Sequence, residues 1–264
     1  MVRKISIILI TTLALTFNAL AGSDGELILK KNEPSSVKDC SEKFNRASFA
    51  FNQGLDKVLF KPVASGYKTL PSPIRSGIGN SLDNLSNLVT IPNNVLQGDM
   101  KGAIRNTGRL LINTTVGILG LFDVANKMGL PEYEKEDYGQ TLAKHGVGPG
   151  CYLVLPVLGP STTRDTIASV ANIAGGDVWY NVTVSNDTRY FSDFDFYSSK
   201  VMTGVDFRAK NYDSLENLEK NSLDFYASVK SLYIQDRERK IKNTKTGATI
   251  EIIYEGDWEE IETQ

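Results

Sequence analysis

The apolar residues of this chain recur at three- and four-residue steps in short stretches punctuated by glycine and proline. That pattern constrains the fold to helices with short connections. In "SEKFNRASFAFNQGLDKVLF", beginning at Ser41, the residues Phe44, Ala47, Phe51, Leu55 and Val58 form one stripe. Phe49 and Phe60 fall near the opposite face, among Gln53, Asp56 and Lys57. Two phenylalanines there call for a second partner surface, of which a neighbouring loop is the simplest.

The pattern continues along the chain. "PSPIRSGIGNSLDNLSN" at 71–87 predicts a helix with prolines in its first turn, and "TIPNNVLQGD" a separate short helix ending at Gly98. "MKGAIRNTGRLLINTTVG" is apolar on most sides and reads as a central helix. "ILGLFDVANKMGLP" is a short apolar segment, and "STTRDTIASVANIAGG" a helix capped by Ser161 or Thr162. In the last third, Leu215, Leu218, Phe225, Tyr226, Val229, Leu232 and Tyr233 keep helical spacing. They predict a long helix from about Asp193 to Ile241, with a break near Asn211. No fixed-period repeat is present, and the expectation is a single all-α domain.

Arg3 and Lys4, the apolar run "ISIILITTLALTF" and the small residues of "ALAG" at 19–22 have the form of an export signal. The expected organisation is a signal peptide over 1–21, a linker over 22–40, the helical domain over 41–242 and an acidic tail over 243–264. The later stretch closest to a membrane span, "LLINTTVGILGLFDVA" at 110–125, is interrupted by Asn113, Thr114, Thr115 and Asp123.

Formal net charge is −2, so no basic field draws nucleic acid. "RERKIK" at 237–242 lacks interleaved aromatics and reads as a solvated helix end. One histidine and two cysteines cannot furnish a four-ligand Cys/His metal site, and no metal is expected. His145 would have to serve every histidine-based mechanism, and no G-x-S-x-G elbow accompanies it. The glycines of "HGVGPG" match neither phosphate-loop pattern, and Pro149 removes a backbone donor. The chain is therefore expected not to be an enzyme. From the residues alone, a Cys40–Cys151 disulfide is open in an exported protein, because spacing says nothing of distance.

Several longer motifs resemble the VacJ/MlaA proteins of the Gram-negative outer membrane. They are "EKFNRASFAFN" at 42–52, "KPVASGYKTLPSPIRSGIGNSLDNL" with "LQGD", "NTTVGILGLFDVA", "DYGQTLAKHGVGPGCYLVLPVLGPSTTRD" and "FRAKNYDSLENLEKNSLDFYASVKSLYIQDRERKI". The resemblance runs in order from about Glu42 to Ile241. It implies a ring-like helical protein embedded in the inner part of the outer membrane by amphipathic faces. Such a protein gives misplaced outer-leaflet phospholipid a route toward the periplasm, without a cofactor. The partners implied are phospholipid, a trimeric porin and a periplasmic lipid-shuttle protein. The alternative is a porin-docking protein that moves no lipid.

On this reading Phe49 and Phe60 become lipid contacts, and Phe51 and Asn52 gating or packing residues. Asn106, Asn113, Thr114 and Thr115 offer polar lining, while Gly146 and Gly148 joint a second mobile element. Tyr138, Gln140 and Arg164 also fall at motif positions. Two departures stand out. Many members are lipoproteins, whereas "LAGSDG" carries no cysteine after the expected cleavage site. Cys151 stands where the family commonly has proline, and Cys40 where a cysteine is unusual, which favours a bridge between them.

Overall fold

A computed structural model describes residues 37–132, 134–172, 176–184 and 191–242. The expected signal peptide, the acidic tail and most of the linker lie outside these residues. The helices are α1 (Glu42–Leu55), α2 (Lys61–Lys68), α3 (Ser72–Leu96), α4 (Met100–Thr115), α5 (Val124–Lys127) and α6 (Tyr138–Lys144). After an antiparallel hairpin of β1 (Tyr152–Leu155) and β2 (Gly159–Thr162) come α7 (Thr163–Ala171), α8 (Val178–Thr183), α9 (Asp193–Lys210), α10 (Tyr212–Asn221) and α11 (Phe225–Ile241). The domain is mainly helical, as expected, and the hairpin is the addition. Alternation along "YLVL" buries Tyr152 and Val154.

A π-helical turn, Asp56–Phe60, joins α1 to α2. It ends two residues before Pro62, whose missing N–H weakens regular α pairing there. The two helices expected over 71–98 are one, α3, with Pro92 inside it. Side chains contribute hydrogen bonds around that proline: Thr90 Oγ1 donates to the Ser86 carbonyl and Asn93 Nδ2 to that of Val89. The long C-terminal helix breaks at Asn211, as expected, and again over Ser222–Asp224, where Asp224 caps α11.

No single apolar core holds these elements. Three small clusters do. Ala64, Tyr67, Val205 and Ala209 join α2 to α9. Trp179, Val184 and Phe196 join α8 to α9, with Leu85 and Leu88 of α3 against them. Tyr152, Val154 and Tyr226 join the hairpin to α11, with Val37 and Phe49 alongside.

The α1 helix is turned the opposite way from its apolar stripe. Asn45, Ser48 and Asn52 point inward, whereas Phe44, Phe51 and Val58 are 58%, 56% and 82% exposed. The two asparagines, two turns apart, clamp the backbone of the hairpin. Asn45 Nδ2 donates to the Tyr152 carbonyl (2.9 Å) and its Oδ1 accepts from Val154 N (2.9 Å). Asn52 repeats the arrangement with the Leu155 carbonyl (2.9 Å) and Val157 N (2.7 Å). Two side-chain amides thus satisfy part of an edge that a third strand would otherwise pair.

Polar joints complete the frame. Arg237 of α11 meets Asp137 at 2.5 and 2.7 Å and Asp165 at 2.9 and 3.0 Å, binding α6 and α7 together. Tyr233 and Arg164 also donate to Asp165. Burial acts to raise the Asp165 carboxyl, but Arg237 and the other donors outweigh it and hold it at about 2. Gly139 is required here, since a Cβ would run into Asp165 and Arg237. Near the other end, Arg208 forks onto Asp56 at 2.8 and 3.0 Å.

The last residues of the expected linker belong to the body. Tyr152 N donates to the Lys38 carbonyl, and Asp39 accepts from Asn45, Tyr226 and Lys230. Cys40 and Cys151 are disulfide-bonded, with Cα atoms 5.6 Å apart and 111 residues between them in sequence.

Thiol titration of the unfolded, unreduced protein should find no free cysteine, and two would exclude the bridge. Chain-entropy arguments put the loss in the Cys40→Ser/Cys151→Ser double variant at up to ~4–5 kcal/mol, measurable by urea unfolding. Arg237→Met should cost about 3–5 kcal/mol, because it strands the buried Asp165 carboxylate and unpairs the half-exposed Asp137. Asp165 is depressed below its ordinary 3.8, so its stabilisation is full above that value. That contribution disappears as pH falls through about 2.

Candidate functional site: a polar cleft between two asparagine-lined helices

α3 and α4 fold back on each other through a three-residue turn. Gly98 takes the left-handed conformation (φ 78°) and Asp99 caps α4 by accepting from Gly102 N. The face α3 turns toward α4 carries Asn80, Asn84, Asn87 and Asn94, and α4 answers with Asn106, Arg109 and Asn113. Asn94, Asn106 and Asn113 are almost completely buried.

These amides bond across the interface. Asn106 Nδ2 donates to Asn94 Oδ1 and Asn84 Nδ2 to Thr114 Oγ1, both at 2.9 Å. Asn113 donates to Asp123 Oδ1 (3.0 Å) and accepts from Ala125 N (2.9 Å). Arg109 reaches Asp123 (3.0 Å) and the Leu130 carbonyl (2.5 Å). Burial tends to raise the Asp123 carboxyl, but the bonds from Asn113 and Arg109 prevail and hold it below its ordinary value.

Between these groups lies a cleft of about 40 Å³ whose rim adds Asp83, Glu132 and Lys135. Every lining residue is polar or charged. Lys135 is ion-paired with Asp83. Below the cleft the polar interior continues. Thr141 Oγ1 donates to Asn93 (2.6 Å), and Gln97 donates to Glu136 (2.8 Å). Burial pushes the Glu136 carboxyl up to about 7.

The loop after α4 covers this polar zone with an apolar exterior. Val116, Ile118, Leu119, Leu121 and Phe122 are all exposed. Ile118 and Leu119 both take left-handed φ values, 53° and 55°, which cost side chains of their type about 1–3 kcal/mol each. The loop is held down by polar contacts on its inner side. Gly120 N donates to the Asn113 carbonyl (2.8 Å) and Asn80 Nδ2 to that of Leu121 (3.2 Å). Gly120 is pressed against Asn84, leaving no room for a Cβ.

The sequence-derived candidates fall in three places. Asn113 and Asn106 line the cleft. Thr114 accepts from Asn84, while Thr115 bonds back to its own helix. Phe51 and Asn52 sit at the α1–hairpin junction, one outward and one in the clamp. Phe49, expected as a lipid contact, is half-buried. Its ring packs edge-on against Phe225 and Tyr226, with centroids at 5.4 and 5.5 Å. Phe60 is half-buried.

Gly146 ends α6 in a left-handed conformation, whereas Gly148 does not adopt positive φ. Gly150 is the constrained glycine of that loop, at φ 67° against Thr163. His145 places Nε2 2.9 Å from the Leu96 carbonyl, and Gln140 bonds Lys135 and Asp137. Tyr138 donates to the Gly176 carbonyl. Among the described residues no cluster of ligating side chains suits a metal ion. Sequence reasoning missed Asn84, Arg109, Asp123 and Lys135. The available signal was the asparagine stripe at three-, four- and seven-residue steps through 80, 84, 87 and 94.

The family model described as "MlaA lipoprotein" matches residues 37–240. "Uncharacterized protein RP093" of Rickettsia prowazekii is 37% identical over 209 residues, covering 78% of this chain and 79% of that protein. "Intermembrane phospholipid transport system lipoprotein MlaA" of Escherichia coli is 33% identical over 202 residues, covering 75% and 76%. The protein of that name from Haemophilus influenzae is 29% identical over 222 residues, covering 80% and 82%. A solved structure reported as the "Structural basis for maintenance of bacterial outer membrane lipid asymmetry" superposes with a TM-score of 0.65 at 31% identity. That match covers 77% of this chain and 99% of the solved one. With the family match, the sequence identities and the fold in agreement, this chain belongs to the MlaA lipoprotein family.

Proposed function

We propose that this protein gives phospholipid a route from the outer leaflet of the outer membrane toward the periplasm, with no bond made or broken. The observation that carries the reading is the inversion of polarity: amides inside, apolar side chains outside. In water, contiguous exposed apolar surface is costly at about 25 cal/mol per Å². In hydrocarbon that cost vanishes, and helices already satisfy their own backbone groups. Among the described residues no helix is long and apolar enough to cross a membrane, and on this reading the exposed apolar faces seat the protein within one leaflet.

A phospholipid on this route keeps its acyl chains in hydrocarbon while its headgroup follows the polar cleft. The strained loop 116–123, apolar outside and bonded to Asn80, Asn84 and Asn113 inside, is the element that moves to admit it. The names of the Escherichia coli and Haemophilus influenzae relatives support this reading. A trimeric porin as the holding partner and a periplasmic shuttle as the recipient complete the proposal.

Outer-leaflet phospholipid, measured with a lipase acting only from outside the cell, should rise when the gene is deleted and return to normal with the intact gene. An unchanged level, with the protein still in the outer-membrane fraction, would assign it to porin docking instead. Ile118→Asn provides a second test. Asparagine tolerates left-handed φ, so the variant should gain about 1 kcal/mol of stability in detergent. It should nevertheless restore lipid removal poorly, since it places an amide where hydrocarbon contact is required. Full complementation by Ile118→Asn would remove the loop from the route.

A further inference from the structure

We infer that the cleft between α3 and α4 selects phospholipids whose headgroup ends in a primary ammonium, as in phosphatidylethanolamine. The inference rests on the lipid route proposed above and adds the substrate class. Three features of the cleft lead to it.

Its charge is the first. Asp83, Asp123 and Glu132 set three carboxylates against the two cations Arg109 and Lys135, a surplus of one negative charge. Arg109 is paired with Asp123 and Lys135 with Asp83, whereas Glu132 has no salt bridge among the described residues. The second is an acceptor without a donor. Asn84 is 4% exposed and uses its amide nitrogen on Thr114, but its Oδ1 has no hydrogen-bond partner. A buried amide oxygen left so is costly, and an incoming N–H group removes the cost.

Lining chemistry is the third. The cleft has room for an ammonium group and for larger headgroups, so its lining and not its size discriminates between them. A trimethylammonium brings three methyl groups and no hydrogen. Among the described residues no aromatic ring lines the cleft to receive it as choline-binding cages do. Its methyl groups would instead strip water from amides and carboxylates and offer nothing in return. A glycerol headgroup supplies hydroxyl donors, but its lipid carries net negative charge toward the surplus carboxylate.

The test uses the purified full chain in detergent, incubated with an equimolar mixture of phosphatidylethanolamine, phosphatidylcholine and phosphatidylglycerol of identical acyl chains. Native mass spectrometry then counts the retained species. One charge-assisted hydrogen bond predicts an enrichment of phosphatidylethanolamine over phosphatidylcholine of about tenfold. Glu132 is exposed and makes no side-chain hydrogen bond or salt bridge among the described residues, so Glu132→Gln should fold normally and reduce that ratio about threefold. Glu132→Lys should shift retention toward phosphatidylglycerol.

Equal retention of the three lipids would overturn the headgroup selectivity while leaving the lipid route standing. Preference for phosphatidylglycerol in the unmodified protein would also overturn it. Retention of no lipid would count against the route itself. Soluble glycerophosphoethanolamine should displace the lipid only weakly. Displacement as efficient as that by intact lipid would make the ligand a free amine and overturn the assignment to a lipid.

Discussion

The structure depends on hydrogen-bonding a polar interior. Where most domains bury leucine and valine, the α3–α4 pair buries asparagine, and each amide must find partners or forfeit its hydration. The bonds Asn106–Asn94, Asn84–Thr114 and Asn113–Asp123 fix the rotation of both helices about their axes. Once that rotation is set, the remaining apolar residues have nowhere to go but outward. The exposed exterior and the polar cleft are thus two consequences of one arrangement. A hydrocarbon environment relieves the first, and a headgroup can use the second.

Three small apolar clusters cannot by themselves hold such a frame, and directional joints do much of the work. The clamps of Asn45 and Asn52 seat α1 along the hairpin, the forks of Arg237 join α6, α7 and α11, and Arg208 locks the π-helical turn. Because each joint is geometrically specific, it determines which elements meet more sharply than apolar contact would. The cost is sensitivity to loss of one partner, since a buried charge or amide left alone is far worse than neither being present. The Cys40–Cys151 bridge adds a covalent tie between the N-terminal segment and the glycine loop.

Strain is concentrated where the polar and apolar worlds meet. Ile118 and Leu119 adopt conformations that asparagine or glycine would take more cheaply, yet their side chains face outward. Keeping them apolar there costs folding energy and maintains an apolar surface directly over the cleft. Gly120, pressed on Asn84, couples that surface to the polar lining beneath.

Spacing alone located most of the longer helices, the break near Asn211, and the polar interruptions at Asn106 and Asn113, and long motifs pointed to the family. Those features are local: a three- or four-residue step or a contiguous motif is visible without a partner. The tertiary structure decided which way each helix faces. Periodicity shows that Phe44, Phe51 and Val58 share a face and that Asn45, Ser48 and Asn52 share another. It does not say which solvent bathes either, and the usual assumption of water outside gives α1 the wrong rotation. The hairpin, the role of Asn84 and the meeting of Arg237 with Asp137 and Asp165 were likewise decided in space. Except within the hairpin itself, the partners lie tens of residues apart, where only folding brings a donor to its acceptor.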